Sequence, residues 1–516
     1  MGNDHLQALI SGTTDQKIDA AARLALEDGV TAIPLLQALE EGNLYSYQSQ
    51  KVVLVKEEKV FDAVTGQEIV PSPPQEALEK ITINNKIRQV LGSSLAVLQL
   101  FSPDSKIRLS SAENLEENLD PKFLPLIQKA LKMETEGKVR SVLSLAEGNI
   151  QIQSSDPAVR LAAVRALGKS EKENVKTKLL TLLAVDGNGN PLEPDPAVRL
   201  EIKKAAQSID RRLIFGEYLG RIFSGISLGS ILLLVALGLA IIYGLMGVIN
   251  MAHGELLMIG AYTTYAVQTL IFKYLPGAID YSIVFSVPAA FLVSALVGIL
   301  LERAVIRVLY GRPLETLLAT WGISLILIQT IRMIFGAQNV QVRNPSWMSG
   351  GFPLLGNLVL PYNRIVIIFF SFAVLAGTWF LLTKTPFGLF IRAITENRTM
   401  ASCAGVQTGK TDMWAFAVGA GLAGLGGCAL SQIGNVGPEM GQSYIVDAFL
   451  VVVLGGVGQI AGTVFAAVGL GILNKFIEPV AGAVLAKIFV LVLIILVIQK
   501  FPQGLFALKG RSEEKG

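Results

Sequence analysis

The chain has 516 residues, is 51% hydrophobic and carries a formal net charge of +3. Its charged residues are unevenly spread: 26 basic and 29 acidic residues lie before position 213, against 18 and 12 after it. That split excludes a single soluble globule, and the weak positive balance implies no nucleic acid partner; it points to a soluble domain, 1–212, a transmembrane domain, 213–510, and a short charged tail, 511–516, expected in the cytoplasm.

The first sixteen residues, MGNDHLQALISGTTDQ, show neither a basic n-region nor an apolar h-region, so no signal peptide is expected within them. Residues 14 to 41 have helix-like apolar spacing, with Pro34 near a helix start. The period then changes: Val52, Leu54, Val60 and Val64, with a turn at Thr65-Gly66, predict a small β-hairpin, and PSPP at 71–74 breaks the chain after it. DPAVRL occurs at 156 and again at 195, with a weaker copy, DSKIRL, at 104. Asp156 and Asp195 are predicted N-caps, Pro157 and Pro196 first-turn prolines, and Val159, Ala162, Ala163 and Ala166 the packing face. The spacing of 39 residues fits HEAT-like helical hairpins, whose surface either binds a partner or simply stacks as a small helical domain.

Membrane-length apolar runs follow at about 219–243, 252–272, 281–301, 315–335, 364–383, 411–433 and 484–500. A longer run, 443–474, is interrupted by GGVGQIAG and is expected to be a re-entrant or broken pair. The fold class expected is an all-α polytopic membrane protein of about eight spans plus a re-entrant or broken helix, preceded by a mainly α-helical, HEAT-like soluble domain containing the β-hairpin. Arg303, Arg307 and Arg312 mark one cytoplasmic loop and residues 384–410 another; counting back from them places the soluble domain outside, in the periplasm.

Two stretches carry the functional signal. GLMGVINMAHGELLMIGAY (244–262) sets Asn250, His253 and Glu255 between apolar runs, where ionisable groups default to a pathway or partner role; the alternative is a capped surface turn. With Thr320, Gln329, Gln432 and Gln459 they form the candidate translocation path for a neutral polar solute. KTPFGLFIRAITENRTMASCAGVQTGKT (384–411) is basic and free of proline from Phe387 to Val406, which predicts a short amphipathic cytoplasmic helix fit to dock in a partner's groove, or else a solvated loop helix.

Other signals are weaker. Small-residue runs such as GAGLAGLGG (419–427) predict close helix packing. AGVQTGKT fails as a phosphate loop because Ala404 stands where glycine is required. GISLG (225–229) matches a nucleophile elbow with His253 as its only available base, but lies in a helical run. No metal site is expected from two histidines and two cysteines, Cys403 and Cys428.

Arg392-Ala393, Asn397, Ala401, Gly405 and Val406 resemble the coupling segment of ABC importer permeases of the branched-chain amino acid and urea type (LivH-like). NMAHGE and VLGGVGQIAGT (453–463) are similar to two further motifs of that family. The resemblance implies a multi-pass inner-membrane permease with no enzyme activity or cofactor of its own. It also implies two ABC ATPase subunits that hydrolyse ATP, a second homologous permease and a periplasmic substrate-binding protein as partners. Arg392, Ala393, Glu396, Asn397, Ala401 and Gly405 become the ATPase-coupling residues. Within the family, RPLETLLATWGISL, QNVQVRNPSWMSGG and the long soluble extension resemble the urea permease. The alternatives are a branched-chain amino acid permease, a passive channel and an intramembrane serine hydrolase.

Overall fold

Local rules are visible from the start of the chain. Thr13 accepts from the Gln16 amide, and Gln16 Oε1 accepts from the Thr13 amide at 2.9 Å, a reciprocal cap that opens helix Thr14–Glu27. Pro34 sits in the first turn of Ile33–Glu41, which Gly42 ends in the left-handed conformation that glycine adopts at little cost. The protein is described by a computed structural model covering residues 3–47, 51–56, 59–63, 67–69, 73–74, 77–115, 120–185, 187, 190–247, 250–501 and 504–506. It divides into two compact units, Met1–Ile214 and Phe215–Gly516.

In the first unit the predicted hairpin is part of a larger sheet. Strands β1 (Leu44–Tyr47), β2 (Lys51–Lys56), β3 (Lys59–Asp62) and β4 (Leu78–Lys80) pair antiparallel in the order β3-β2-β1-β4. Sequence period revealed β2 and β3, whereas β1 and the three-residue β4 were not expected. Val64, the expected turn at Thr65-Gly66 and the first half of PSPP lie outside the described residues.

The repeat has a physical basis beyond its cap. Asp104, Asp156 and Asp195 each accept from the amide two residues on, at 2.9, 2.8 and 2.7 Å. Four residues after each aspartate an arginine reaches back to two loop carbonyls. Arg108 donates to Ser102 and Pro103 (3.0 and 3.1 Å), Arg160 to Ser154 and Ser155 (2.9 and 3.0 Å), and Arg199 to Glu193 and Pro194 (2.9 and 3.1 Å).

Two of these arginines also hold a glutamate by two parallel bonds: Arg108 takes Glu134 (2.8 and 3.1 Å) and Arg160 takes Glu193 (2.9 and 2.7 Å). The Arg108 hydrogen bond holds the Glu134 carboxyl below the usual range; burial pushes Glu193 up, but Arg160 and the Asp195 amide outweigh it and hold it low. Arg160 therefore points inward, and the buried face of helix Pro157–Leu167 is Arg160, Ala163, Val164 and Leu167, while Ala162 is exposed. The observed face is rotated from the expected one because only apolar residues were counted toward it. What repeats in space is the aspartate cap and the arginine clamp; a HEAT-like superhelix is not established by them.

In the second unit, six helices among the described residues are long and apolar enough to cross a membrane: Pro196–Leu245 (which begins in the first unit), Pro276–Ile306, Pro313–Phe335, Tyr362–Lys384, Thr408–Ser431 and Ile460–Lys500. Helix His253–Tyr274, expected as a span, is 22 residues long but carries Glu255, Thr263, Thr264 and Gln268 and is not one of the six. The apolar windows of Pro196–Leu245 and Thr408–Ser431 are 89% buried, against 17–28% for the other four, so these two form the centre.

The small-residue runs set that centre's spacing. A Cβ at Gly427 would lie 1.9 Å from the Leu257 carbonyl oxygen, and one at Gly424 2.3 Å from Ser294 Oγ, so only glycine permits these backbones to approach. The run 443–474 is broken where expected, at the positive-φ Gly456 and Gly458, between Met440–Gly455 and Ile460–Lys500. Its second half is no short stub, however. It continues to Lys500, with a non-helical residue at Gly482 (φ 80°), because the apolar sequence resumes beyond Pro479.

Segment 384–410, expected in the cytoplasm, is two helices rather than one, Pro386–Glu396 and Arg398–Cys403. Asn397 leaves the helical region (φ −152°) and caps the second helix by accepting from the Met400 amide at 2.9 Å, a role its short side chain favours over helix interior. Gly388, Ile394 and Ala401 are buried, whereas Leu389, Phe390 and Met400 are exposed.

Candidate functional site

Asn250, His253 and Glu255 stand at the entrance to helix His253–Tyr274 and are all but sealed from solvent, at 1%, 0% and 1% exposure. Asn250 Oδ1 accepts from the Ala252 amide at 3.0 Å and shapes the turn into the helix. His253 Nε2 lies 3.1 Å from the Val235 carbonyl oxygen, so Nε2 carries the proton. Glu255 Oε1 accepts from Ser324 Oγ at 2.9 Å. Asn250 Nδ2, His253 Nδ1 and Glu255 Oε2 have no hydrogen-bond partner among the described residues.

Thr320 joins this group: its Oγ1 accepts from the Met251 amide at 3.1 Å. Thr316, Thr320 and Ser324 recur every fourth residue on helix Pro313–Phe335 and are all buried. Ser324 was missed in the sequence, although this i, i+4 stripe of small hydroxyls was its signal. Gln329 is exposed, one residue past the stripe's line and so turned away from it. Gln459 is half-buried before helix Ile460–Lys500, where its carbonyl accepts from Thr463 Oγ1 at 2.8 Å, and it makes no hydrogen bond to the Asn250–Glu255 group. Gln432 is buried and donates to Ser431 Oγ at 3.1 Å, with Oε1 unpartnered. Ser227 is buried, and His253 bonds backbone rather than Ser227, so the nucleophile arrangement is not formed.

Of the residues expected to couple to the ATPases, Arg392 and Glu396 are exposed, and Arg392 donates to the Leu382 carbonyl. Ala393 is half-buried, Ala401 is buried, and Gly405 has φ +89°, which explains glycine there. One residue of the segment, Arg398, is anchored more firmly than any of these. It pairs bidentately with the buried Asp412 and stacks on Tyr310, with Cζ 4.2 Å from the ring centroid and Nη1 donating to Tyr310 Oη at 2.7 Å. Burial, with the Asp412 charge beside it, pushes the Tyr310 hydroxyl up to about 12, so it stays neutral and available to accept.

A family model described as "Branched-chain amino acid transport system / permease component" matches residues 221–498, more than half the chain. The chain belongs to this permease family. It is similar to the high-affinity branched-chain amino acid transport system permease protein BraD of Pseudomonas aeruginosa, 28% identical over 303 residues, covering 58% of this chain and 97% of that protein. It is also similar to the permease protein LivH of Escherichia coli, 29% identical over 304 residues, with the same shares, and to a probable LivH of Methanocaldococcus jannaschii, 28% identical over 256 residues, 48% of this chain and 77% of that one. No solved structure matches. As a permease component of this ABC type the chain is a multi-pass inner-membrane transport subunit and not an enzyme; it carries no cofactor, and ATP is used by its ATPase partners.

Proposed function

We propose that this permease passes urea, in an importer built with a second homologous permease, two ATPase subunits and a periplasmic binding protein, and that its first unit lies in the periplasm. The observation that carries the substrate reading is the sealed group of Asn250, Glu255, Thr320 and Ser324. It offers amide, hydroxyl and carboxylate hydrogen bonds with no Lys or Arg bonded to it among the described residues. A small neutral solute rich in N–H donors is satisfied by such groups; the carboxylate of a zwitterion calls for a cation, which the group lacks, or a helix end, which the N-terminus of His253–Tyr274 offers, so the absence of a cation favours the neutral solute only modestly. The two segments at 312–325 and 338–351 and the soluble extension support the same reading; BraD and the Escherichia coli LivH are spanned almost whole by 58% of this chain, leaving the rest without a counterpart in them.

The second reading is a branched-chain amino acid, which the relatives' names favour over urea. Under either reading the path is occluded in this conformation, and ATP-driven movement of segment 384–410 would open it by favouring another state, which requires that ATP and solute bind the two states unequally.

Uptake of labelled urea and labelled leucine, by cells lacking the native system and supplied with this permease and its partners, separates the readings. Accumulation of urea against its gradient, abolished by Arg392→Glu at unchanged protein level, is the expected result. Leucine accumulation instead overturns the substrate, and passive equilibration of urea in both strains overturns the importer.

A further inference from the structure

Three pieces of chain meet at Arg398. It begins the second cytoplasmic helix; Asp412 is the fifth residue of the central helix Thr408–Ser431, at 3% exposure; Tyr310 lies in the loop after Glu302–Ile306, the π-helical turn that continues helix Ser282–Leu301. No other residue of segment 384–407 pairs with a carboxylate among the described residues. The guanidinium supplies a fork to the carboxylate and a flat face to the ring, a combination that lysine's single ammonium does not offer.

Both anchored helices run on to the sealed site. Ser294 Oγ, on Ser282–Leu301, donates to the Leu256 carbonyl at 3.1 Å, and Gly424 and Gly427, on Thr408–Ser431, approach Gly260 and Leu257 too closely for any side chain. Glu255 precedes Leu256 directly. An unbroken line of tight contacts therefore joins the cytoplasmic segment to the site.

We infer that Arg398, Tyr310 and Asp412 form a mechanical joint that converts displacement of the cytoplasmic segment into movement of the two helices enclosing the Asn250–Glu255 site; the inference rests on the importer reading above. Arg398 is a positioning residue: it touches neither solute nor nucleotide. A shift of helix Arg398–Cys403 cannot be absorbed by slack in this pair without leaving the buried Asp412 carboxylate unpaired, which is strongly unfavourable, so helix Thr408–Ser431 moves with it. Glu302, buried with Oε2 unpartnered, adds a second carboxylate near Asp412 and increases the need for the guanidinium.

The test uses the reconstituted complex of permease, ATPases and binding protein. Arg398→Lys keeps the charge and loses the fork, and Tyr310→Phe keeps the stack and loses the hydroxyl acceptor. Each is expected to lower solute moved per ATP hydrolysed, about tenfold for Arg398→Lys and a few-fold for Tyr310→Phe, while ATP hydrolysis and complex yield stay near wild type. Parallel loss of hydrolysis and transport, or unchanged transport in both variants, overturns the joint. A purely structural role predicts that the paired neutral variant Arg398→Gln/Asp412→Asn restores transport along with yield; the joint predicts yield without transport.

Hydrogen exchange on the same complex reads the joint without any transported solute. Arg398→Lys is expected to speed exchange in 302–312 and 408–415 together with 398–403, and acceleration confined to 398–403 overturns the proposal. A wild-type complex that accumulates neither urea nor leucine would defeat the importer reading while leaving this second readout decisive for the joint.

Discussion

The two units treat buried polar groups in opposite ways. In Met1–Ile214 a charge taken inside is fully matched: Arg160 at 8% exposure and Glu193 at 4% exchange two hydrogen bonds, and each has further backbone partners. Among the described residues of Phe215–Gly516, Ser227, Asn250, His253, Glu255, Tyr262, Glu302, Arg332 and Gln432 each keep one buried side-chain atom without a protein partner, whereas in the first unit the Ser94 hydroxyl is such an atom. An unmatched buried polar atom costs about 1–3 kcal/mol, and eight of them among the described residues of one unit are hard to reconcile with selection for stability alone. The first unit spends its polar groups on holding loops to helices, and the second keeps some of its own available.

The contrast breaks most easily at Arg160 and Glu193. Glu193→Leu leaves the guanidinium buried without its carboxylate, and removing one partner of such a pair costs about 3 kcal/mol or more. Hydrogen exchange of the full chain in detergent is expected to show residues 157–209 opening, with little change beyond residue 250. The double variant Arg160→Met/Glu193→Leu should recover much of the loss, because neither charge then remains inside. Equal destabilisation by the double variant would mean that the backbone bonds of Arg160, rather than the pair, hold the unit.

The opposite behaviour is expected in the second unit. Glu255→Gln keeps an acceptor for Ser324 and removes a carboxylate oxygen that no protein group uses, so the midpoint of thermal unfolding should shift by no more than a degree or two. Solute accumulation at constant protein level should nevertheless fall about tenfold, equivalent to 1.4 kcal/mol at the transport step. A large loss of stability with proportionate loss of transport would place Glu255 in the structural class to which Glu193 belongs and dissolve the contrast.

How much of this was legible in the sequence follows from how local each signal is. Asn250, His253 and Glu255 stood out because polar residues between apolar runs are anomalous within a few positions, and the close packing of Gly424 and Gly427 was announced by their own neighbours. The Asp156 and Asp195 caps were readable for the same reason. Arg398, Tyr310 and Asp412 were not: 88 residues separate Arg398 from Tyr310, and a lone aspartate at the start of an apolar helix looks like a surface residue until its partner is placed. Arg160 was missing from the expected packing face because pattern reading counts only apolar residues toward it, and Gln329 was assigned to the path because hydropathy does not specify which face of a helix a glutamine occupies. The break at Asn397 depended on a cap competing with helix continuation, a contest between local energies of about 1 kcal/mol that spacing does not decide.

The smallest effect sharpens the contrast from inside the first unit. Arg199 repeats the clamp of Arg108 and Arg160 on two loop carbonyls, yet no carboxylate bonds it among the described residues, and it is only half-buried. If the carboxylate makes the clamp essential, Arg199→Gln should cost about 1 kcal/mol, the net worth of one or two exchanged hydrogen bonds, against several for the single changes at Arg160 or Glu193. Protection of residues 196–209 against hydrogen exchange measures the difference directly. Comparable losses at Arg199 and Arg160 would show that the carbonyl bonds dominate and that Glu134 and Glu193 merely neutralise charge. A clear gap would show instead that the unit is held by completed ion pairs, which is the property the second unit forgoes around Asn250 and Glu255.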